Sequence, residues 1–598
     1  MPKKGKPVKD IFSYPYDSGF LLRKQKSLRK EFKNDGIKRI PVKIAILGGS
    51  TADAVRDQLE LFLLNYGLEP RFYLSEYGQF RQDALFPPKE LTDFAPDIVY
   101  FHTTNRNIHR FPTLNDTPET AEALLEEEFG EFRSLWESVR EKLGGTILQN
   151  NFELPSFRLL GNADASDPRG RARFIGELNR KFAAYAAEQK NFYLNDIHYL
   201  SACCGLDKWA DGAAWNLYKY ALAVDAIPSL AANLAAIIKA LYGKNKKVLA
   251  LDLDNTLWGG VVGDDGADGI RIGKDLPAGQ VYSEFQEYVK LHKDLGVLLT
   301  VCSKNDPENA LAGLNHPEGT LKPDDFTVIK ANWENKDRNI AETARELNLL
   351  PESFVFADDN PAEREIVREQ LPGTAVPELD GAENYIRILD RNRYFEVVSL
   401  SEDDRKRAEM YRANAQRAEL EKTYADYGAY LDGLSMTAEI RPFAPPYLER
   451  IAQLTNKSNQ FNLTTRRYSP AEIEEAARDP KKIALYGKLS DRFGDNGVVA
   501  VTIGSVGGET LSIELWLMSC RVLKREMELA MLDETVRRAK EHGVKKIVGY
   551  YYPTAKNGMV KNLYGNFGFT KVSEDEAKAV WELEIADYAP KTAHIRIN

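Results

Sequence analysis

Two aspartates and a threonine stand at alternate positions near the middle of this 598-residue chain, as Asp252, Asp254 and Thr256. They follow the apolar run 248–251, which is typical of a strand covered on both faces in a parallel sheet. Residues two apart on a strand face the same side, so the two carboxylates would project together at the strand's carboxyl end, where open α/β sheets place ligands. Two neighbouring carboxylates repel each other, and a bound cation is the simplest explanation of the pair.

A serine and a lysine further along the chain could complete a site for phosphoryl chemistry. Ser303 follows the apolar run 297–301, and a hydroxyl at the end of a strand can donate to a phosphoryl oxygen. Lys336 stands at the predicted start of a helix, where its charge adds to the positive end of the helix dipole and favours a phosphate.

An acidic pair, Asp358 and Asp359, ends another predicted strand, 353–357, and a further strand is predicted at 374–376. Taken singly, each motif has an ordinary explanation: a DxDxT run arises by chance or in a structural calcium loop, and an acidic pair before Asn-Pro can cap a helix. All of them occur in order, each near the end of a separate element of an alternating fold. That order indicates a phosphoryl-transfer site.

The order of these motifs resembles that of the haloacid-dehalogenase-like (HAD) superfamily. Their flanking runs resemble its FkbH-like branch, subfamily IIIC, at 253–266, 302–305, 331–336 and 358–364. The resemblance implies that Asp252 is a nucleophile that forms an aspartyl-phosphate, and that Asp254 is the general acid and then the base. It implies that phosphate is bound by Thr256, Ser303, Lys304, Asn305 and Lys336. It also implies that Mg²⁺ is bound by Asp252, Asp358, Asp359 and the backbone carbonyl of Asp254.

Proteins of this branch are associated with loading a glyceryl unit from 1,3-bisphosphoglycerate onto an acyl carrier protein. The resemblance therefore implies a small acyl phosphate as substrate, a carrier protein as partner and a thiol relay. Cys302 and Cys520 are the candidate relay thiols, although Cys302 should face away from Ser303 on its strand and buried cysteines are usually inert. Two alternatives stay open: a phosphatase of another small phosphometabolite with flanking substrate lids, and a non-catalytic docking scaffold for a carrier protein.

The region before this site resembles an SGNH-hydrolase-like domain. Predicted strands alternate with helices, which favours a parallel sheet, at 42–47, 71–74, 97–101, 145–149 and 191–194. Ser50, in a Gly-Gly-Ser-Thr turn, occupies the nucleophile position, and Asn105 or Asn150 could supply an oxyanion donor. Asp196 and His198 are two apart rather than the family's three, so binding or scaffolding is favoured over a Ser-His-Asp site.

The region after the site is predicted to be an α+β domain. Its predicted elements are antiparallel strands at 482–490, 497–505 and 511–518, a helix at 521–543, a strand at 545–551 and a helix at 555–566. It resembles a GNAT-type N-acyltransferase in the runs 491–497, 517–522 and 562–569. Lys524 and Glu526 stand where the pattern has glycines, which opposes the binding of a coenzyme A pyrophosphate. Lys524 and Arg525 could instead meet a phosphopantetheine arm, Cys520 could lie in the cleft, and the polar loop 456–462 could line a ligand groove.

The composition indicates a soluble, cytoplasmic protein of several domains, with 43% hydrophobic and 28% charged residues. The net charge of −9 argues against a nucleic-acid partner. We expect no membrane span and no signal peptide, and four scattered cysteines argue against a disulfide framework. The predicted fold class is α/β, with a Rossmann-like HAD domain between two flanking domains. The predicted organisation is a basic, solvated arm (1–40), an SGNH-like domain (41–242), a HAD-like domain (243–397) and a GNAT-like domain (398–598).

Overall fold

The computed structural model describes residues 11–400, 402–554 and 556–598. The chain divides into two compact units, the first running up to Leu241 and including Arg391–Val398. The second consists of Tyr242–Asp390 and Ser399–Asn598. The first ten residues of the predicted basic arm lie outside the described residues, and the rest of the arm includes the helix Ser18–Asn34.

The first unit is built on a parallel sheet, as the alternation of strands and helices predicts. Its five strands pair in the order β2-β1-β3-β4-β5. They are β1 (Ile40–Gly48), β2 (Leu68–Leu74), β3 (Ile98–His102), β4 (Thr146–Asn150) and β5 (Phe192–Asn195). Its helices of six or more residues are Ser18–Asn34, Asp53–Asn65, Phe80–Leu85, Lys89–Phe94, Pro118–Lys142, Arg171–Glu188, Ile197–Cys204, Gly212–Tyr218 and Ile227–Leu241.

The long helix Pro118–Lys142 shows how the sequence sets an element's limits and buried face. Thr117 caps its start by accepting a hydrogen bond from the backbone N–H of Thr120, and proline at the first helical position suits the fixed φ of a first turn. Arg140 and Lys142 in the last turn oppose the negative end of the helix dipole. The apolar face of the helix, including Trp136, is buried in the core of the unit.

Among the described residues, one helical stretch, Val224–Leu241, is apolar and long enough to cross a membrane. The expectation that no such segment exists was therefore wrong, because this stretch has the length and the apolar composition of a membrane span. However, 78% of the stretch is buried inside the protein, which is the usual state of a core helix.

The second unit begins with a smaller parallel sheet of four strands in the order β8-β7-β6-β9. The strands are β6 (Val248–Leu251), β7 (Leu298–Ser303), β8 (Val328–Ala331) and β9 (Phe354–Ala357). Helices of eight or more residues alternate with them at Pro277–Asp294, Pro307–Leu314, Lys336–Glu346, Pro361–Gln370 and Tyr385–Asn392. A further strand predicted at 374–376 is reduced to one bridge between Val355 and Ala375.

The rest of the second unit is a mixed, eight-stranded sheet in the order β15-β16-β14-β13-β12-β11-β10-β17. Its strands are β10 (Met436–Pro442), β11 (Lys482–Asp491), β12 (Gly494–Gly507), β13 (Thr510–Met518), β14 (Lys546–Tyr551), β15 (Thr570–Glu574), β16 (Ala579–Glu584) and β17 (Ile595–Ile597). Its helices of seven or more residues are Arg407–Glu421, Tyr427–Gly433, Leu448–Lys457, Pro470–Arg478 and Met527–Glu541. The last three strands and the helix Pro470–Arg478 were not predicted, although Ser469 and Glu472 form a capping box at the start of that helix.

Two helices of this region were predicted too long. The helix expected at 521–543 begins only at Met527, because Lys524 and Glu526 have φ of +63° and +59°, a conformation that cannot continue a right-handed helix. The helix expected at 555–566 is limited to Leu563–Asn566.

The strands β13 and β14 diverge after a short parallel pairing of Thr510–Ser512 with Lys546–Val548. Beyond that point the segment 461–463 lies between them: the Leu463 N–H donates to Trp516, and the Tyr552 N–H donates to Leu463. This segment therefore provides hydrogen-bond partners for backbone groups that the divergence of the two strands would leave unpaired.

Candidate active site

The carboxylates of the parallel four-stranded sheet meet because their strands are direct neighbours. β6 pairs in register with β9, with Leu251 opposite Ala357, so the residues that follow both strands leave the sheet side by side. Carboxylate oxygens of Asp252, Asp358 and Asp359 lie within 4.8 Å of one another. The predicted convergence of these strand ends is therefore what the structure shows.

Lys336 lies between two of these aspartates. Its Nζ is 2.9 Å from Oδ1 of Asp252 and 2.5 Å from Oδ2 of Asp358, and all three side chains are almost completely buried. Burial opposes the lysine's charge, but the two aspartates outweigh it and raise the pKa of Lys336. Burial and the charge of Asp252 raise the pKa of Asp358. One lysine cannot neutralise three carboxylates, and a cluster of hard oxygen donors is suited to a hard divalent cation such as Mg²⁺.

Asp254 is held apart from that cluster by three hydrogen bonds. Its Oδ1 accepts from Nε1 of Trp258 at 2.9 Å and from the backbone N–H of Val262 at 3.0 Å, and its Oδ2 accepts from Nδ2 of Asn305 at 3.0 Å. Burial, with a contribution from the charge of Asp252, raises the pKa of Asp254. A fixed carboxyl with a raised pKa beside another carboxylate has the properties of a general acid.

Several residues predicted to bind phosphate already have protein partners. The Thr256 hydroxyl accepts from the backbone N–H of Asp359 at 3.2 Å, so it positions a carboxylate of the cluster. Asn305 binds Asp254, as described above, and Nζ of Lys304 is 2.7 Å from Oε1 of Glu363. Ser303 is buried at the end of β7. Their roles in phosphate binding stay predictions.

Sequence reasoning missed Trp258 and Glu363. Trp258 is fully buried and fixes the candidate acid, and Glu363, in the first turn of the helix Pro361–Gln370, holds Lys304. Both lie inside the runs that resemble the FkbH-like branch. The signal that could have found them is their position in the sequence, since each lies within four residues of an aspartate of the site.

The two candidate relay cysteines lie in different surroundings. Cys302 is buried in the core of the parallel sheet, its thiol is 3.5 Å from the carbonyl oxygen of Lys336, and burial raises its pKa. Cys520 is half-buried, and its Sγ is 3.9 Å from the Tyr411 hydroxyl. The burial of Cys302 does not support reaction with a substrate, and neither thiol shows a contact with the carboxylate cluster among the described residues.

In the first unit, the candidate residues of a hydrolase site are not joined into a catalytic triad among the described residues. Ser50 is buried, and in the described part of the chain no hydrogen bond joins it to His198. Asp196 caps a helix by accepting from the backbone N–H of Tyr199 at 3.0 Å. Asn105 donates to backbone carbonyls of 153 and 154, so its amide is not directed at an oxyanion.

The turn after β13 also has internal partners. Arg525 donates to Asn414 at 2.5 Å and lies 3.2 Å from Asp491, and the Tyr427 hydroxyl donates to the carbonyl of Lys524. Burial lowers the pKa of Arg525. Arg525 is thus part of the packing of this region, which does not support its predicted contact with a phosphopantetheine arm.

Comparisons with known proteins agree with this geometry. The model of the family "FkbH, N-terminal domain" matches residues 43–239. A crystal structure of the N-terminal part of protein BF1531 from Bacteroides fragilis, which contains a phosphatase domain complexed with Mg, is 31% identical to this chain. The match covers 63% of this chain and 99% of that one, with a TM-score of 0.58.

Other similar structures are acetyltransferases with low sequence identity. The ribosomal-protein-S18-alanine N-acetyltransferase of Escherichia coli is 11% identical, covering 26% of this chain and 99% of that one, with a TM-score of 0.21. Ard1 of Thermoplasma volcanium is 16% identical, covering 26% of this chain and 100% of that one, also with a TM-score of 0.21. No curated protein shows a significant match. The match at 43–239 and the 31% identity to nearly all of the BF1531 fragment show that this chain belongs to the FkbH-like family.

Proposed function

We propose that this protein is a Mg²⁺-dependent phosphatase that works through an aspartyl-phosphate on Asp252. The observation that carries the proposal is the buried group of three carboxylates within 4.8 Å of one another, with Lys336 paired to two of them and Asp254 held separately beside it. The BF1531 fragment, which contains a phosphatase domain with Mg, supports both the reaction type and the metal.

The residues suggest a two-step mechanism. A carboxylate oxygen of Asp252 attacks phosphorus, the bond from phosphorus to the leaving oxygen breaks, and Asp254 gives that oxygen a proton. Water then attacks the phosphorus of the aspartyl-phosphate, Asp254 takes the water's proton, and phosphate leaves with Asp252 regenerated. The ammonium of Lys336 offsets charge on the phosphoryl oxygens. Mg²⁺ held by Asp252, Asp358 and Asp359 would supply further neutralisation of that charge.

For the substrate, we propose a small acyl phosphate such as 1,3-bisphosphoglycerate, with the glyceryl unit passed to an acyl carrier protein. Two separate bonds must break. Asp252 would remove the phosphoryl group of the 3-phosphate ester, and a thiolate would attack the acyl carbon and displace the other phosphate, forming a thioester. Membership of the FkbH-like family supports this substrate.

A second candidate, a phosphatase of another small phosphometabolite, is favoured by one observation. Neither Cys302 nor Cys520 contacts the carboxylate cluster in the described residues, and the Cys302 thiol is buried. In that case the chemistry would end with the release of phosphate, and no thiol of this chain would take part.

The two candidates are separated by mixing the full chain with 1,3-bisphosphoglycerate, Mg²⁺ and a carrier protein bearing its pantetheine arm. Phosphate release and the mass of the carrier are measured for the wild type, Asp252→Asn and the exposed control Asp264→Asn. We expect Asp252→Asn to abolish release of the 3-phosphate, so that the carrier gains no glyceryl unit and at most the mass of a phosphoglyceryl unit, and we expect Asp264→Asn to retain both signals. Release of the 3-phosphate without a mass change in the wild type would favour the second candidate. Undiminished formation of glyceryl-carrier by Asp252→Asn would refute the nucleophile, and failure to bind Mg²⁺ would favour a docking scaffold.

A further inference from the structure

The segment that follows β6 holds an arginine beside the residues that fix Asp254. The turn 254–262 folds back on Asp254, whose Oδ1 accepts from the backbone N–H of Val262. Within this turn, Gly259 pairs with Arg271 through two backbone hydrogen bonds. The Arg271 N–H donates to Gly259 at 2.7 Å, and the Gly259 N–H donates to Arg271 at 2.9 Å. The backbone of Arg271 is therefore fixed next to the turn that positions the candidate acid.

Two side chains pack against the same glycine of this turn. A methyl group on Cα of Gly259 would lie 2.7 Å from a ring carbon of Tyr282 and 2.8 Å from Nε of Arg271. Side-chain carbons do not approach other atoms so closely, so this position requires glycine. The Tyr282 ring and the Arg271 guanidinium are consequently neighbours on one side of the turn.

The Tyr282 phenol connects this pair with the carboxylate cluster. Burial raises the pKa of Tyr282, the charge of Arg271 lowers it, and the charge of Asp359 raises it. Tyr385 marks the same region, since its hydroxyl donates to the carbonyl of Asn255 at 3.1 Å, and burial and the charge of Asp359 raise its pKa. A charge shifts a pKa in this way mainly at short range, so Arg271 and Asp359 both lie close to the Tyr282 hydroxyl.

Arg271 is available to a ligand. It is exposed, and it forms no ion pair with any residue that the structure describes. The exposed Glu383, whose charge also acts on Tyr282, is not paired with it. Two other cations near the cluster are engaged: Lys304 is held in an ion pair, and Arg364 donates to backbone carbonyls and lies 3.2 Å from Glu378. A guanidinium binds carboxylate and phosphate oxygens through two parallel hydrogen bonds.

A substrate with two anionic groups needs such a cation. In the proposed mechanism, Lys336 and the metal act on the phosphoryl group that Asp252 attacks. The neighbouring carboxylates would repel a second negative group unless it had a cation of its own. The Tyr282 hydroxyl, which has no hydrogen-bond partner among the described residues, is a second donor beside Arg271.

We propose that Arg271 and the hydroxyl of Tyr282 bind a second anionic group of the substrate, at the end away from the phosphoryl group that Asp252 attacks. The inference rests on the proposed function, since it concerns the substrate of that site. In a small acyl phosphate the second group is the acyl phosphate itself, and in a phosphorylated acid it is a free carboxylate. Both groups have the oxygens that a guanidinium binds.

The test is calorimetric titration of the full chain, in buffer with Mg²⁺, with phosphonates, whose carbon–phosphorus bond a phosphatase does not hydrolyse. The ligand 2-hydroxy-4-phosphonobutanoate ends in a carboxylate, and 3,4-dihydroxybutylphosphonate ends in a neutral alcohol instead. The wild type should bind the first about tenfold or more tightly than the second, because hydrogen bonds between charged groups are the strong ones. Butane-1,4-bisphosphonate distinguishes the two sources. Binding tighter than that of the carboxylate ligand indicates an acyl phosphate, and equal or weaker binding indicates a free carboxylate.

Variants of the segment assign this preference to Arg271. Arg271→Gln should lose the preference for the carboxylate ligand, Arg271→Lys should keep part of it, and Tyr282→Phe should reduce it by a smaller factor. The matched control Lys274→Gln removes an exposed lysine three residues further along, paired with Glu287 at 2.7 Å, and should keep the wild-type preference. No preference in the wild type, or a preference that Arg271→Gln leaves unchanged, would overturn the proposal.

Phosphate release from 3-phosphoglycerate and from glycerol 3-phosphate separates a failure of this inference from a failure of the proposed function. In Arg271→Gln, the ratio of the two kcat/KM values should fall about tenfold or more, through a higher KM for 3-phosphoglycerate. No release by the wild type, with a binding preference that still depends on Arg271, would refute the phosphatase and support the subsite. Release by the wild type, with neither ratio dependent on Arg271, would refute the subsite alone.

Discussion

Both parallel sheets of this protein end in polar side chains, but the two sets differ in charge. At the end of β6 and β9 the groups are carboxylates around Lys336. In the first unit the buried groups are neutral: the Tyr100 hydroxyl donates to Asn150 at 3.0 Å, and Asn195 donates to the same oxygen at 2.8 Å. Amides and hydroxyls both donate and accept, so they satisfy one another in a closed network. Carboxylates only accept, so they require a lysine, a proton or a metal.

The same position in a parallel sheet therefore holds a charged cluster in one unit and packed neutral groups in the other. The fold supplies the convergence of strand ends, and the residue types decide what the convergence does. This difference is testable, since it predicts large effects on activity for changes in the charged set and effects confined to stability for changes in the neutral set.

After the loss of the nucleophile Asp252, the largest effect should come from Asp254→Asn. An asparagine at this position can keep a hydrogen bond with Asn305 if one of the two side-chain amides turns over. It cannot transfer a proton. We expect the rate of Mg²⁺-dependent phosphate release from an alkyl phosphate to fall by about 1,000-fold. The loss should be smaller for p-nitrophenyl phosphate, whose leaving group needs no proton. Equal losses on the two substrates would remove Asp254 from the role of general acid.

The next largest effect should come from Lys336→Met, measured as the free energy of unfolding. Removing one partner from a buried ion pair leaves Asp252 and Asp358 uncompensated, which costs about 3 kcal/mol or more. The variant should recover stability when Mg²⁺ is added, because the metal binds the same carboxylates. The matched control is Lys330→Met, which removes a lysine paired with Glu342 and Glu346 at the surface and should cost less than about 1 kcal/mol. Equal losses in the two variants would contradict the central position of Lys336.

A smaller effect is expected from Thr256→Val. The change removes the hydroxyl that accepts from the Asp359 N–H and keeps the size of the side chain. Loss of a group that orients a metal ligand typically weakens metal binding about tenfold or more. Calorimetric titration with Mg²⁺ measures this, and Thr256→Ser should bind like the wild type. Unchanged affinity in the valine variant would show that Thr256 has no part in positioning Asp359.

The sequence predicted the charged set because its arrangement depends on a local rule. Asp252, Ser303 and Asp358 each follow a short apolar run, and parallel strands bring such positions to one edge. The same rule does not predict the ion pair between Lys304 and Glu363, because that contact depends on how the helix Pro361–Gln370 packs over the edge of the sheet. The insertion of 461–463 between β13 and β14 is not predicted by this rule either. Its backbone partners lie more than 50 residues away in the sequence, so the insertion leaves no local pattern.

Backbone conformation was the other limit of the sequence analysis. The runs around 521–526 have the apolar and charged residues of a helix, and only the positive φ of Lys524 and Glu526 delays its start to Met527. Lysine and glutamate rarely adopt that conformation, so their identities predict the opposite. The surroundings of Cys520 were also not predicted, because Cys520 lines a pocket formed by two parts of the second unit that are distant in sequence.

The smallest effect, about 1 kcal/mol, is expected in the neutral set and depends on pH. His102 is fully buried, and burial lowers its pKa to about 4, whereas an unfolded histidine has a pKa of about 6.5. Between these values the unfolded chain binds a proton that the folded chain does not, so stability falls as the pH falls through this window. From pH 7.5 to 5.5 the contribution of His102 to stability should fall by roughly 1 kcal/mol, from ~1.4 kcal/mol per pKa unit.

His102→Gln has no titrating ring, so over the same interval its stability should shift by about 1 kcal/mol in the favourable direction relative to that of the wild type, whatever the substitution costs at pH 7.5. Burial raises the pKa values of Glu128 and Glu153 in the same unit to about 7, so these groups favour the folded state as the pH falls. They are present in both proteins and cancel in the difference. Hydrogen exchange of peptides covering β3 in the wild type and the variant measures the local free energy at each pH. An equal change with pH in the two proteins would show that the ring accepts a proton in the folded state. The neutral network would then hold a charge, and the contrast with the carboxylate edge would fail.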